Sequence, residues 1–201
     1  MTGDASKPIS ELAHETLFVP LDHPLGRQIN VRGGGGKTTL AKAIAQKKTL
    51  SFIELDAIQW LPNWEERDRA DFGDKTSQAI QDADGAWVVD GNYSGYIGDL
   101  VVKEADMVVW LNLPWRVMFW RVVKRSIVRA WDKRKICGDN TESWRKLFSR
   151  DSLWWWYIAN RKRLISRGTR FLPLISVGIP VIEITTTREL DRFYEIHNLD
   201  R

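Results

Sequence analysis

The chain has 201 residues, 30 Lys and Arg against 26 Asp and Glu, and an apolar fraction of 43%, enough for one domain with a sizeable core and too little for two. The single cysteine, Cys137, excludes an internal disulfide or a cysteine-built zinc site, and the longest apolar run, Phe171 to Ile184, is broken by Pro173, Gly178 and Pro180, so no membrane span is expected. Charge is uneven: 116–170 holds sixteen Lys and Arg against four Asp and Glu, a region that could face nucleic acid, a membrane surface, a polyphosphate or only water.

Met1 to Gly26 mixes acidic residues with Pro8, Pro20 and Pro24 and has no apolar stretch of the kind a secretory leader needs. A cytoplasmic protein is expected, with 1–26 a poorly ordered extension and 27–201 the working domain. Gln28 to Val31 reads as a strand, a glycine run follows, and Thr38 to Lys48 carries Leu40, Ala41, Ile44 and Ala45 at helical spacing. Leu50 to Leu55 and Ala86 to Val89 read as strands that deliver Asp56 and Asp90 at their C-terminal ends. Met107 to Leu113 is a nearly continuous apolar strand stopped by Pro114, as in a parallel sheet covered on both faces.

Trp115 to Trp131 predicts an amphipathic helix with Val117, Trp120, Val123, Ile127 and Ala130 on the apolar side and Arg121, Lys124, Arg125 and Arg129 interleaved. After a polar break, Thr141 to Gly168 reads as further helix rich in tryptophan, Val181 to Ile184 as a fifth strand, and Glu189 to His197 as a closing helix. Alternating strands and helices predict an α/β domain whose ligands bind outside the carboxyl ends of the strands.

The strongest feature is Gly33-Gly34-Gly35-Gly36-Lys37-Thr38-Thr39, set between a strand and a helix. This is the context of a Walker A loop, in which backbone N–H groups and the helix N-terminus surround phosphate, the lysine reaches the β- and γ-phosphates and the hydroxyl ligates Mg²⁺. Lys37 and Thr38 take those last two roles, and Gly33 to Thr39 form the nucleotide-binding set. One position departs from the pattern: the first glycine of G-x-x-x-x-G-K-[ST] is Val31. Either Val31 sits there under strain, or the loop is about two residues shorter and Gly33 acts as its first glycine.

Asp90 stands where a Walker B-like carboxylate would face Thr38 across the metal. Asp56 could orient or deprotonate an acceptor hydroxyl, reach the metal through water, or simply cap the helix after it. Trp154 to Trp156 beside Arg161, Lys162 and Arg163 suit either core packing or stacking of single-stranded nucleic acid.

Three segments extend the pattern: Leu55-Asp56-Ala57-Ile58-Gln59-Trp60-Leu61-Pro62-Asn63-Trp64, Val89-Asp90-Gly91-Asn92-Tyr93-Ser94-Gly95, and Val108 to Pro114 followed by Arg121 and Arg125. Together they resemble the adenylate-kinase-like P-loop proteins known as topology modulation proteins, among the P-loop nucleoside and small-molecule kinases, over roughly Gln28 to Tyr194. The resemblance implies a three-layer P-loop kinase fold with a five-stranded parallel sheet in the order 2-3-1-4-5, an acceptor region after strand 2, and a helical basic lid over about 115–170. It matches Arg69 to an acceptor-side arginine and Arg121 and Arg125 to lid arginines that neutralise the transferring phosphate. Asn140, Glu142 and Arg145 match a stretch beyond the lid and receive no role.

The expected function is therefore transfer of the ATP γ-phosphoryl group to an unidentified nucleotide or small-molecule acceptor. Lys37 and the loop hold the phosphates, Thr38 and Asp90 hold Mg²⁺, Asp56 handles the acceptor, and Arg121 and Arg125 close over it. Two rivals stand beside it: a nucleic-acid-binding protein with a degenerate loop, and an ATPase with no small-molecule acceptor.

Overall fold

The computed structural model describes residues 18–97, 100–132, 135–136, 140–141, 155, 158–161 and 178–201. The centre of the sheet is β2 (Gln28–Gly33), whose Ile29 and Val31 are fully buried. The glycine run leads from it into α1 (Lys37–Lys48), which buries Leu40, Ala41, Ala43, Ile44 and Ala45 and ends at Thr49 in the left-handed conformation. Next come β3 (Ser51–Glu54), the short α2 (Leu55–Gln59), and the strand pair β4 (Trp60–Leu61) and β5 (Glu65–Glu66), joined by a 3-10 turn at Pro62–Trp64.

The helix α3 (Arg69–Asp82) starts at Asp68, whose carboxylate accepts from the N–H groups of Ala70 and Asp71, a cap for the helix's open donors. Then follow β6 (Trp87–Asp90), α4 (Ser94–Ile97), α5 (Leu100–Glu104), β7 (Met107–Leu111), α6 (Trp115–Asp132), the pair β8 (Lys135–Ile136) and β9 (Asn140–Thr141), β10 (Val181–Ile184) and α7 (Thr187–Ile196). A capping box between Thr186 and Glu189 fixes the start of α7. These bonds from Thr185 and Thr186 hold the Glu189 carboxyl below its ordinary range.

The main sheet is parallel throughout and has six strands in the order β3-β6-β2-β7-β10-β1. Count and order thus differ from the five-stranded expectation, because β1 (Phe18–Val19) adds to the edge beyond β10. Residues 18–26 are correspondingly not a loose extension. Phe18 packs 6.4 Å from Trp110 between ring centroids, Leu21 and Leu25 lie against the core, the Leu25 carbonyl accepts from Lys48 Nζ at 2.5 Å, and the Leu21 carbonyl meets His197 Nε2 at 2.7 Å. Four apolar side chains in eight residues outweigh the turn formers once an unpaired sheet edge is at hand. The rest of the expected extension, 1–17, lies outside the described residues.

Alternation along the strands divides the core. Ile29, Val31, Met107, Val109, Leu111, Ile182 and Ile184 pack with α1, α6 and α7, whereas Ile53, Trp87 and Val89 pack with α3 and α5. The chain is thus an α/β protein with helices against both faces of a parallel sheet, the arrangement that makes central strands apolar on both sides.

Val31 is decided by this packing. It lies inside β2, opposite Asp90 on one side and Val109 on the other, is fully buried, and is not among the residues with positive φ. The strand runs on to Gly33, which has φ +110°. A Cβ on Gly33 would come within 2.0 Å of the Leu111 carbonyl oxygen. The shortened loop with Gly33 as its first glycine therefore describes the molecule, and the strained-Val31 alternative does not. Val31→Gly is accordingly expected to lower stability by about 2–3 kcal/mol, from a lost buried side chain and a glycine inside a strand. Thermal and urea melts measure this; a Val31→Gly protein as stable as wild type contradicts it.

The long α6 corrects a second expectation. Its buried stripe is Met118, Val122, Ser126 and Ala130, at successive i+4 positions, whereas Trp120 and Ile127 are exposed. The helix is apolar on more than one side, so periodicity alone does not choose which side meets the sheet. Among the described residues, no helix is long and apolar enough to cross a membrane.

Candidate functional site

The glycine loop is held from three directions. Gly34 donates its N–H to the Leu111 carbonyl at 3.3 Å, at the C-terminal end of β7. Asn92 clasps Gly33 reciprocally: its Oδ1 accepts from the Gly33 N–H at 3.0 Å, and its Nδ2 donates to the Gly33 carbonyl at 2.7 Å. Arg121 of α6 donates from Nη1 to the Gly35 carbonyl at 2.7 Å. Met118 lies so close that a Cβ on Gly35 would sit 3.1 Å from its Cα. Gly35 and Gly36 both have positive φ, and no side chain caps the first turn of α1, which contains no acidic residue. The positive dipole end of this twelve-residue helix is therefore not offset by a side chain of its own first turn.

Below the loop, at the carboxyl end of the central strands, the Thr38 hydroxyl donates to Asp90 Oδ2 at 2.5 Å, and Lys37 Nζ lies 3.7 Å from Asp90 Oδ1. Asp90 is 4% exposed, and its Oδ1 is a buried oxygen without a hydrogen bond. The structure thus brings Lys37, Thr38 and Asp90 together. Thr39 is exposed on the first turn of α1.

Asp56 does not stand at a strand end; it lies in the first turn of α2, because β3 stops at Glu54. Tyr93 donates its hydroxyl to Asp56 Oδ1 at 2.7 Å. The segment Asp90-Gly91-Asn92-Tyr93 consequently contacts both the glycine loop with the start of α1 and Asp56. Asp90 faces Lys37 and Thr38, Asn92 holds Gly33, and Tyr93 holds Asp56. The sequence marks Asn92 and Tyr93 within Val89 to Gly95 but gives a role in that segment to Asp90 alone.

Glu54 was also missed. It pairs in register with Asp90 across β3 and β6, and its carboxyl is held above its ordinary value of 4.5, first by burial and then by the charges of Asp90 and Asp56, with Lys42 and Arg129 opposing. A folded-state value above the unfolded one means that ionising Glu54 costs stability. The cost is absent below about pH 4.5 and fully present once the pH has risen through the folded-state value. Glu54→Gln is expected to raise the melting temperature at neutral pH, with a gain that shrinks towards zero below about pH 4.5. Melts of both proteins across that range check this, and a gain of constant size at every pH contradicts it.

The arginines divide. Arg121 is on the loop, whereas Arg125 is exposed one turn further along α6. Arg69, expected on the acceptor side, donates from Nε to the Tyr96 carbonyl at 2.6 Å and ties the start of α3 to α4; none of its contacts reaches Lys37, Asp56 or Asp90.

Asn140, to which the sequence assigned no role, is 4% exposed. It accepts from the Trp64 N–H and donates to the Leu61 carbonyl, both at 2.9 Å. It thereby fastens the turn after α2, where Asn63 and Trp64 both have positive φ, a conformation a bulky side chain holds only when its surroundings enforce it. Cys137, Glu142, Arg145, Trp154, Trp156, Lys162 and Arg163 lie outside the described residues; Trp155 is exposed, and Arg161 stacks over Trp115 at 5.2 Å.

No protein-family model matches the sequence, and no characterised protein matches it.

Proposed function

We propose that this chain is an ATP-Mg²⁺-dependent phosphotransferase with a P-loop kinase fold, similar to the adenylate-kinase-like topology modulation proteins, acting on a nucleotide or another small hydroxylated acceptor. The observation that carries the reading is the glycine loop between β2 and α1, with Lys37 and Thr38 converging on Asp90 at the carboxyl edge of the parallel sheet. Triphosphate recognition needs backbone donors, a helix N-terminus and one flexible cation, and these supply all three.

The fit to Mg²⁺ rests on Asp90 Oδ1, a buried carboxylate oxygen with no hydrogen bond, beside the hydroxyl of Thr38. Hard oxygen donors suit this ion, which is commonly held by one or two protein groups together with phosphates and water. Thr38 and Asp90 would hold it, and when bound it neutralises charge on the transferring group. Lys37 balances charge on the β- and γ-phosphates. Arg121, already at the loop, reaches the same oxygens by swinging away from the Gly35 carbonyl.

Asp56, oriented by Tyr93, receives the proton as an acceptor hydroxyl oxygen bonds to the γ-phosphorus and the bond to the β-phosphate oxygen breaks, releasing ADP. The turn held by Asn140 borders the acceptor side, immediately beyond α2.

Calorimetric titration of ATP with Mg²⁺, followed by a screen of ADP formation against nucleosides, nucleotides and small alcohols, tests the proposal. Binding together with acceptor-dependent ADP release is expected. ADP release that no acceptor stimulates converts the reading to an ATPase. Folded protein that does not bind ATP removes it.

A further inference from the structure

Among the described residues, one face of α6 is left open beside the glycine loop. Arg116, Val117, Trp120, Arg121 and Lys124 recur at helical spacing and line a shallow, open groove. Trp120 is 60% exposed although it is among the largest apolar side chains in the chain, and Phe119 packs edge-on against it at 5.8 Å, steadying the indole. Among the described residues, the other lining side chains are one valine and three cations, with no carboxylate. Arg121 belongs both to this groove and to the loop, so the groove begins where the phosphates would end.

A flat exposed indole among cations, continuous with a phosphate cradle, suits a ligand that is anionic at one end and aromatic at the other. We infer that Trp120 is the platform on which the base of the nucleoside triphosphate stacks, while Arg116 and Lys124 flank it and Arg121 marks the passage to the phosphates. This inference rests on the phosphotransferase reading. It adds that the base is recognised mainly by its π face, since none of the described side chains lining the groove offers a hydrogen-bond acceptor. Purine triphosphates are therefore expected to bind with little discrimination between adenine and guanine.

The test compares Mg²⁺-ATP with Mg²⁺-tripolyphosphate, which carries the phosphates without base or ribose, by calorimetry on the full chain. Wild type is expected to bind ATP about tenfold or more tighter than tripolyphosphate. Trp120→Ala should lose most of that advantage and keep its tripolyphosphate affinity, and Trp120→Phe should stay within about threefold of wild type for ATP. Trp120→Ala that weakens both ligands equally, or neither, overturns the inference and leaves the loop reading intact. Wild type that binds neither ligand overturns both. If Trp120→Ala leaves ATP unchanged and weakens a single-stranded oligothymidylate instead, the face is a nucleic-acid surface and the inference is wrong.

Discussion

Lys37→Ala is expected to lower the affinity for Mg²⁺-ATP by roughly a thousandfold, the scale for removing one partner from a desolvated charge pair. The ammonium lies at the mouth of the loop, 3.7 Å from Asp90, and is the one lysine in the glycine-loop sequence. Its removal also leaves the buried Asp90 carboxylate with only the Thr38 hydroxyl, so the variant should melt lower than wild type. Binding must therefore be measured well below the melting temperature. Lys37→Arg separates the two consequences. It keeps the positive charge and most of the stability, but a planar guanidinium does not replace a compact ammonium, and ATP affinity should recover only in part. Folded Lys37→Ala protein that binds ATP as tightly as wild type would sink the phosphate assignment.

Asp90→Asn is expected to cut Mg²⁺-dependent turnover by about a thousandfold without lowering the melting temperature. Stability and function pull in opposite directions here. In the protein without ligand, Asp90 keeps a buried oxygen without a hydrogen bond and raises the proton affinity of Glu54. Replacing the charge by an amide removes the repulsion of Glu54, and the amide oxygen can still accept from Thr38, which together offset the lost ion pair with Lys37. Measuring turnover against Mg²⁺ concentration, alongside melts, discriminates the alternatives. A variant that melts several degrees lower and regains turnover at saturating Mg²⁺ would make Asp90 a structural residue.

The arrangement around Asp90 also bears on how the two halves of the reaction would be linked. Asn92 and Tyr93 follow it within three residues, so one short segment holds both Gly33 of the loop and the Asp56 carboxylate. A shift of this segment would move both ends of the in-line path at once. Phosphoryl transfer depends mainly on position, so even small displacements there are costly.

Much of this was legible from residue order alone. The strand, glycine run and helix, and the carboxylate at the end of β6, follow from local rules: glycine where φ must be positive, period 3.6 in α1, a buried apolar run in β7. Each of those signals is contained in a dozen or so consecutive residues and needs no knowledge of the rest of the chain. The placement of Lys37, Thr38 and Asp90 was readable because a parallel strand delivers its last residue to the same edge as its neighbour.

What the tertiary structure alone decided concerns residues whose partners are distant in sequence. Whether Val31 was strained or merely the interior of β2 depended on its pairing with Asp90 and Val109. The attachment of Phe18–Val19 depended on an open edge at β10, 163 residues away by register. Which side of α6 is buried depended on Met118 and Val122 meeting the sheet core, and that choice left Trp120 outside. Asn140 acquired a role only through two carbonyl and amide groups of a turn 76 and 79 residues earlier. Backbone conformation and periodicity are local properties and are written in the sequence. Hydrogen-bond satisfaction, burial and the choice among several apolar faces are settled by which surfaces meet, and only the folded chain determines that.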